Sequence, residues 1–293
     1  MPEDGDEMTP DDAAPSRLDA ASDAQRPRDG AVEAGANTDA GSRTAMLSAG
    51  CGKSQRPANG RVSVAGDHNY VFPAAYDGKT PFPLLIGFHA ANNPIDQIEG
   101  LTNGSAFETN YVRAFPKSKA KAWDYDDDIA KVRAMYDDLL ANYCIDTSRI
   151  FATGHSSGAQ LIVQILTPAR KADADRFNFR AVAPVAASRY GTVSRAIPVL
   201  YIQGAHDSVR NSDGADVVKE FVTANGCGMT TSPYAGPQCM SEGKTVADGC
   251  RQYAGCSATT IWCSHDDPAY TNTSHGWPCF ATKAMLDFFA SQR

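Results

Sequence analysis

Gly154-His155-Ser156-Ser157-Gly158 has the form G-x-S-x-G and lies directly after the apolar run "RIFATG". That pattern suits a sharp strand-to-helix turn that presents a serine Oγ to a bound substrate, with glycines allowing the neighbouring strand and helix to approach closely. The chemistry it points to is attack of a serine on an ester carbonyl. Attack requires a base to take the hydroxyl proton, an acid to orient the base, and N–H donors for the developing oxyanion. Spacing between the glycines selects Ser156 over Ser157 as nucleophile and leaves the Ser157 backbone N–H to serve the oxyanion.

In a strand–nucleophile–helix turn of this kind the acid follows the serine, and the histidine comes last. "YIQGAHDSV" places Asp207 on a loop just past an apolar strand; Asp213 is the second choice, but reads as a helix start. Of six histidines only His265 and His275 follow Asp207. His275 lies in "TSHGWPCF", where Gly276 and Pro278 make a tight loop before the last helix. His265 falls inside a strand-and-hairpin pattern, so His275 is the expected base. The second oxyanion donor belongs to the loop after "FPLLIGFH", with Ala91 chosen and Ala90 the alternative. His89, at a strand end before the nucleophile, reads as structural. His155, Trp123 and Trp277 are the candidates for substrate contact.

Several elements must position these residues. One or two strands with a turn at Ala65-Gly66-Asp67 are expected over 61–76, and a doubly buried strand over 82–89. Residues 126–143 show helical spacing at Ile129, Val132, Met135, Leu139 and Leu140. Strands follow at 149–153, 181–187, 198–203 and around 259–263, with helices at 157–166, 213–224 and 281–290. Strands alternating with helices predict a mostly parallel, doubly wound sheet in one catalytic domain, with chemistry on loops at the carboxyl ends of the strands. The turn at Ser156 and the order serine, acid, histidine make it read as an α/β-hydrolase fold.

Composition bounds the rest. Residues 1–46 contain no aromatic residue, isoleucine or lysine and carry a net charge of −7, equal to that of the whole chain. That segment is expected to be a disordered acidic tail, and 47–293 the catalytic domain. A near-neutral domain argues against a nucleic-acid partner, and no apolar run is long enough to span a membrane. Eight cysteines, all beyond the tail and without C-x-x-C spacing, read as disulfides rather than zinc ligands. Disulfides imply export. No charged-then-apolar leader opens the chain, so the expectation is that it begins after the targeting segment. Asp124, Asp126, Asp127 and Asp128 lack the glycine and glutamate of a calcium loop. No metal and no cofactor is expected.

The chain resembles the secreted esterases of carbohydrate esterase family one, meaning feruloyl esterases and related polyhydroxybutyrate-depolymerase-type esterases. The segments that carry the likeness are "DDDIAKVRAMYDDLLANYCIDTSRIFATGHSSGA", "YIQGAHDSV", "FVTANGCG" and "SHGWP". The resemblance implies a serine carboxylic ester hydrolase working through an acyl-enzyme, with Ser156, Asp207 and His275 as its triad. Feruloyl esters of plant-wall polysaccharide are the first substrate class. Polyester depolymerisation and short-chain acyl or acetyl-xylan hydrolysis are the alternatives, and a non-catalytic binding module on the same fold is a remote one. The group commonly has His-Gly where this chain has His89-Ala90.

Overall fold

Residues that alternate between apolar runs and helical spacing produce a sheet sandwiched between two helical layers. The computed structural model describes residues 45–188, 191–209, 214–246, 249–270 and 275–292, all within the compact unit Arg43–Arg293. The expected tail over 1–44 lies outside the described residues, as does Asp213. Met46, expected at the end of the tail, donates its N–H to the Asp146 carboxylate at 3.1 Å and accepts from the Thr147 N–H.

The elements in chain order are strands β1 (Arg61–Val64), β2 (His68–Val71) and β3 (Phe82–Phe88), then helices α1 (Ile95–Thr102) and α2 (Ala106–Asn110). Next come β4 (Val112–Pro116), α3 (Asp127–Asn142), β5 (Ile145–His155), α4 (Ser157–Ile165), α5 (Lys171–Phe177), β6 (Ala181–Val185), β7 (Val199–Gly204) and α6 (Gly214–Ala224). The chain continues through the short strands β8 (Thr231–Pro233), β9 (Cys239–Ser241), β10 (Lys244–Val246) and β11 (Cys250–Tyr253) to β12 (Thr260–His265) and α7 (Ala281–Ser291).

Ten strands form one sheet in the order β1-β2-β4-β3-β5-β6-β7-β12-β11-β8, and β9 pairs with β10 separately. The six from β4 to β12 run parallel, while both edges are antiparallel. This is the expected mostly parallel sheet. Alternate residues of β3 face opposite ways: Leu84, Ile86 and Phe88 enter a core with α3, α4, α5 and α6, and Leu85 enters another with α1, α2 and α7. A strand buried on both faces needs an apolar residue at every position, hence "FPLLIGF".

Two elements depart from the sequence expectation. Strand β5 begins at Ile145, earlier than the run that starts at Arg149. Strand β4 was not expected, because Arg113 interrupts its apolar run. That guanidinium is only 1% exposed, donates to Thr102 and Asn103 and lies over the Phe115 ring. The charge is compensated in part, because Nη1 meets two polar partners while the buried Nε has none among the described residues.

All eight cysteines are paired, as Cys51–Cys144, Cys227–Cys256, Cys239–Cys279 and Cys250–Cys263. Three bridges tie the β8–β11 excursion together, and one of them, Cys239–Cys279, ends four residues after His275.

Candidate active site

At the end of β5 the chain turns so tightly that Ser156 takes φ +54° and ψ −117°, a left-handed conformation costly for a residue with a Cβ. Hydrogen bonds on either side hold it there: the Ser156 N–H donates to Val185 O at 2.9 Å, and Ser156 O accepts from the Gln160 N–H at 3.0 Å. The flanking glycines are sterically required. A Cβ at Gly154 would lie 2.7 Å from the Gly158 carbonyl carbon, and one at Gly158 would lie 2.2 Å from Phe88 O.

Three loops at the carboxyl ends of β5, β7 and β12 bring Ser156, Asp207 and His275 together. His275 Nε2 lies 2.8 Å from Ser156 Oγ, and His275 Nδ1 lies 2.8 and 3.0 Å from the two Asp207 oxygens. A carboxylate can only accept, so Nδ1 carries the proton and Nε2 is left to accept from the serine hydroxyl. The Asp207 side chain is 1% exposed and that of His275 10%. Asp207 also accepts from the Val209 N–H and from Gln203 Nε2. Gln203 Oε1 and Ala187 O each lie 2.5 Å from the buried Tyr201 hydroxyl and share its one proton. Burial drives the Tyr201 pKa well above its ordinary value, so this hydroxyl remains a donor.

His265 is not part of this relay. It is 2% exposed, its Nδ1 accepts from the Asp267 N–H, and burial pushes its pKa down to about 4.

Opposite the serine, the loop His89–Asn93 is braced by the segment 118–123. The Ser118 N–H donates to His89 Nε2 at 3.1 Å, so His89 is neutral and its Nδ1–H donates to Ala90 O at 2.8 Å. Burial lowers its pKa as well. Trp123 Nε1 donates to His89 O at 2.8 Å, and Lys121 O accepts from the Asn92 N–H at 2.7 Å. The Ala90 N–H donates to Gln97 Oε1 at 3.0 Å, so it is not available to an oxyanion. Neither the Ala91 nor the Ser157 N–H has an acceptor among the described residues.

The aromatic candidates sit deeper than an open pocket wall would. Trp123 and Trp277 are each 6% exposed. Trp123 packs on Phe88 and His89, whereas Trp277 donates from Nε1 to Thr282 and meets the His155 ring edge-on at 6.5 Å. The acids near α3 act as local caps. Asp128 accepts from the Lys119 and Asp124 N–H groups, and Asp124 from those of Asp126 and Asp127.

No family model matches the chain. It is similar to a probable feruloyl esterase C of Aspergillus niger, 27% identical over 241 residues covering 75% of this chain and 82% of that protein. A probable feruloyl esterase C of Aspergillus terreus is 28% identical over 239 residues, with the same coverage. The feruloyl esterase C of Emericella nidulans is 27% identical over 237 residues, again 75% and 82%. In structure the chain is similar to the acetyl xylan esterase from Aspergillus awamori. The TM-score is 0.51 at 13% identity, over 78% of this chain and 98% of that one, a likeness of fold alone.

The chain is an esterase of the α/β-hydrolase fold.

Its resemblance to feruloyl esterases, read first from motifs, is borne out by these relatives. Sequence reasoning missed three supports of the candidate site. Tyr201 and Gln203 were signalled by polar side chains on one face of an otherwise apolar strand. Gln97 had no such signal, because α1 is short and its pattern is broken by Gly100.

Proposed function

We propose that Ser156, Asp207 and His275 are the catalytic triad of a secreted serine esterase acting on feruloyl esters of plant-wall polysaccharide. The observation that carries this reading is the unbroken relay Ser156 Oγ–His275–Asp207, with each contact at hydrogen-bond distance. Ser156 Oγ bonds to the ester carbonyl carbon as its proton passes to His275 Nε2, and Asp207 stabilises the imidazolium. The N–H groups of Ala91 and Ser157 receive the oxyanion. Collapse breaks the ester bond and sends the proton to the departing alcohol. A water molecule then repeats the sequence on the acyl-enzyme and releases the acid. His155, Trp123 and Trp277 border the acyl site.

The feruloyl assignment draws on relatives of that name, and export on the four disulfides. In this reading the catalytic domain, expected over 47–293, also takes in Met46, which bonds to Asp146 and Thr147, and the segment before it is a linker or tail.

One observation favours a second reading, a short-chain acyl or acetyl-xylan esterase: the indoles of Trp123 and Trp277 are buried and internally bonded. A substrate panel separates the two. Methyl ferulate, or a feruloylated arabinose, is expected to give a higher kcat/KM than acetylated xylan or a hydroxybutyrate trimer. Preference for the acetyl ester overturns the feruloyl reading and leaves the triad standing; no turnover of any ester overturns both.

A further inference from the structure

Gln97, in the first turn of α1, touches two parts of the site that are remote in sequence. Its Oε1 accepts the Ala90 N–H at 3.0 Å, and its Nε2 donates to His155 Nδ1 at 2.8 Å. A backbone N–H can only donate, so it fixes which end of the carboxamide faces Ala90; the amino end must then face His155, whose Nδ1 accepts. Ala90 directly precedes Ala91, and His155 directly precedes Ser156. One side chain therefore connects the residue before the proposed oxyanion donor to the residue before the proposed nucleophile.

We propose that Gln97 is a positioning residue that sets the oxyanion loop against the nucleophile turn. The inference rests on the functional reading above and adds a residue to it. From the other side, the loop is held at His89 and Asn92 by Ser118, Lys121 and Trp123. Ala90, between those anchors, is held from α1 by Gln97. With that contact gone, Ala90 and Ala91 keep, among the described residues, only bonds from within their own loop, from His89 Nδ1 and the Asn93 N–H to Ala90 O and from Asn93 Nδ2 to Ala91 O. No hydrogen bond then ties them to α1, and a donor displaced by a fraction of an ångström stabilises the transition state less well. The loss of this contact is therefore expected to bear more on kcat than on KM for a small acetyl ester. The amide suits both neighbours at once. A methionine offers neither bond, whereas a glutamate can still accept from Ala90.

The test uses the full chain with p-nitrophenyl acetate as substrate and phenylboronic acid as a tetrahedral analogue. Gln97→Met is expected to lose about 10- to 100-fold in kcat with KM within about threefold. Its inhibition constant for phenylboronic acid should rise alongside, and Gln97→Glu should lose less than Gln97→Met. Turnover of Gln97→Met within about twofold of wild type overturns the proposal, as does a kcat loss with unchanged boronate affinity. Amide exchange in the wild-type protein provides a second measurement should Gln97→Met fail to fold. The Ala90 N–H is expected to exchange at least about tenfold more slowly than that of Ala91, and equal rates overturn the proposal. A wild-type chain without esterase activity, or a Ser156→Ala variant that keeps it, would instead overturn the functional reading.

Discussion

Gly158 stands against the carbonyl of Phe88 with no room for a side chain. A Cβ there would lie 2.2 Å from that oxygen and 2.6 Å from the oxygen of His89. The first turn of α4, which begins directly after Ser156, is thereby pressed onto the end of β3, where the proposed oxyanion loop starts. Gly158→Ala must separate the two. We expect kcat on p-nitrophenyl acetate to fall at least about 100-fold, with stability reduced by about 1–3 kcal/mol from overpacking. Turnover and a thermal melt check this, and near-wild-type turnover would contradict it.

The His275 loop is anchored from the excursion beyond α6. Cys279 is bonded to Cys239 on β9, and its N–H donates to Asp267 at 3.0 Å. The other Asp267 oxygen accepts from Ser241, also on β9. Replacing both cysteines, Cys239→Ser with Cys279→Ser, should cost about 2–4 kcal/mol of stability. It should also lower kcat about tenfold through a less ordered base. Denaturant unfolding and steady-state kinetics provide the check. An equal loss from the pair Cys227→Ser with Cys256→Ser, which leaves the His275 loop anchored, would remove the positioning argument.

Acid should destabilise the fold through His265. Its pKa is pushed down to about 4 by burial, below the unfolded value near 6.5. Between those values the unfolded chain binds the extra proton, so stability falls as pH drops from about 6.5 to 4, by up to about 3 kcal/mol from this group. Burial lowers the His89 pKa too, so His89 acts in the same direction. Thermal melts across that range should show a flatter profile for His265→Gln than for wild type. Parallel profiles would show that His265 is not a source of the slope.

How far the sequence could be read depended on whether an element carries its own pattern. Strand β3 and the strand leading to Ser156 are continuous apolar runs, and α3 repeats its apolar residues every three or four positions, so all were legible. The meeting of Ser156, Asp207 and His275, whose catalytic role is proposed, was legible because the turn has fixed glycine spacing and the loops follow strands. Strand β4 was hidden by Arg113, whose partners Thr102 and Asn103 come from the end of α1 and the residue after it. Strands β8 to β10 are three residues each, too short to show a period. Disulfide pairing is set by which cysteines the fold brings together, which spacing does not encode. That the Ala90 N–H is engaged turns on one contact from Gln97, a residue without any motif.

Trp277 provides a test of the acyl site. It lies two residues beyond His275 and meets His155 edge-on. If it borders an aromatic acyl group, Trp277→Ala should lower kcat/KM for methyl ferulate more than for an acetyl ester, by about 1–3 kcal/mol. Equal loss on both esters would make it a packing residue only.

The central claim is that Ser156 forms a covalent acyl-enzyme with His275 as base. Quenching the protein in acid during turnover of p-nitrophenyl acetate and mapping its peptides by mass tests this most directly. The account predicts a single acetyl group on Ser156, none in Ser156→Ala, and a kcat for that variant lower by about four to six orders of magnitude. An acetyl group on another residue, or a Ser156→Ala variant that keeps about a tenth of wild-type turnover, would contradict it.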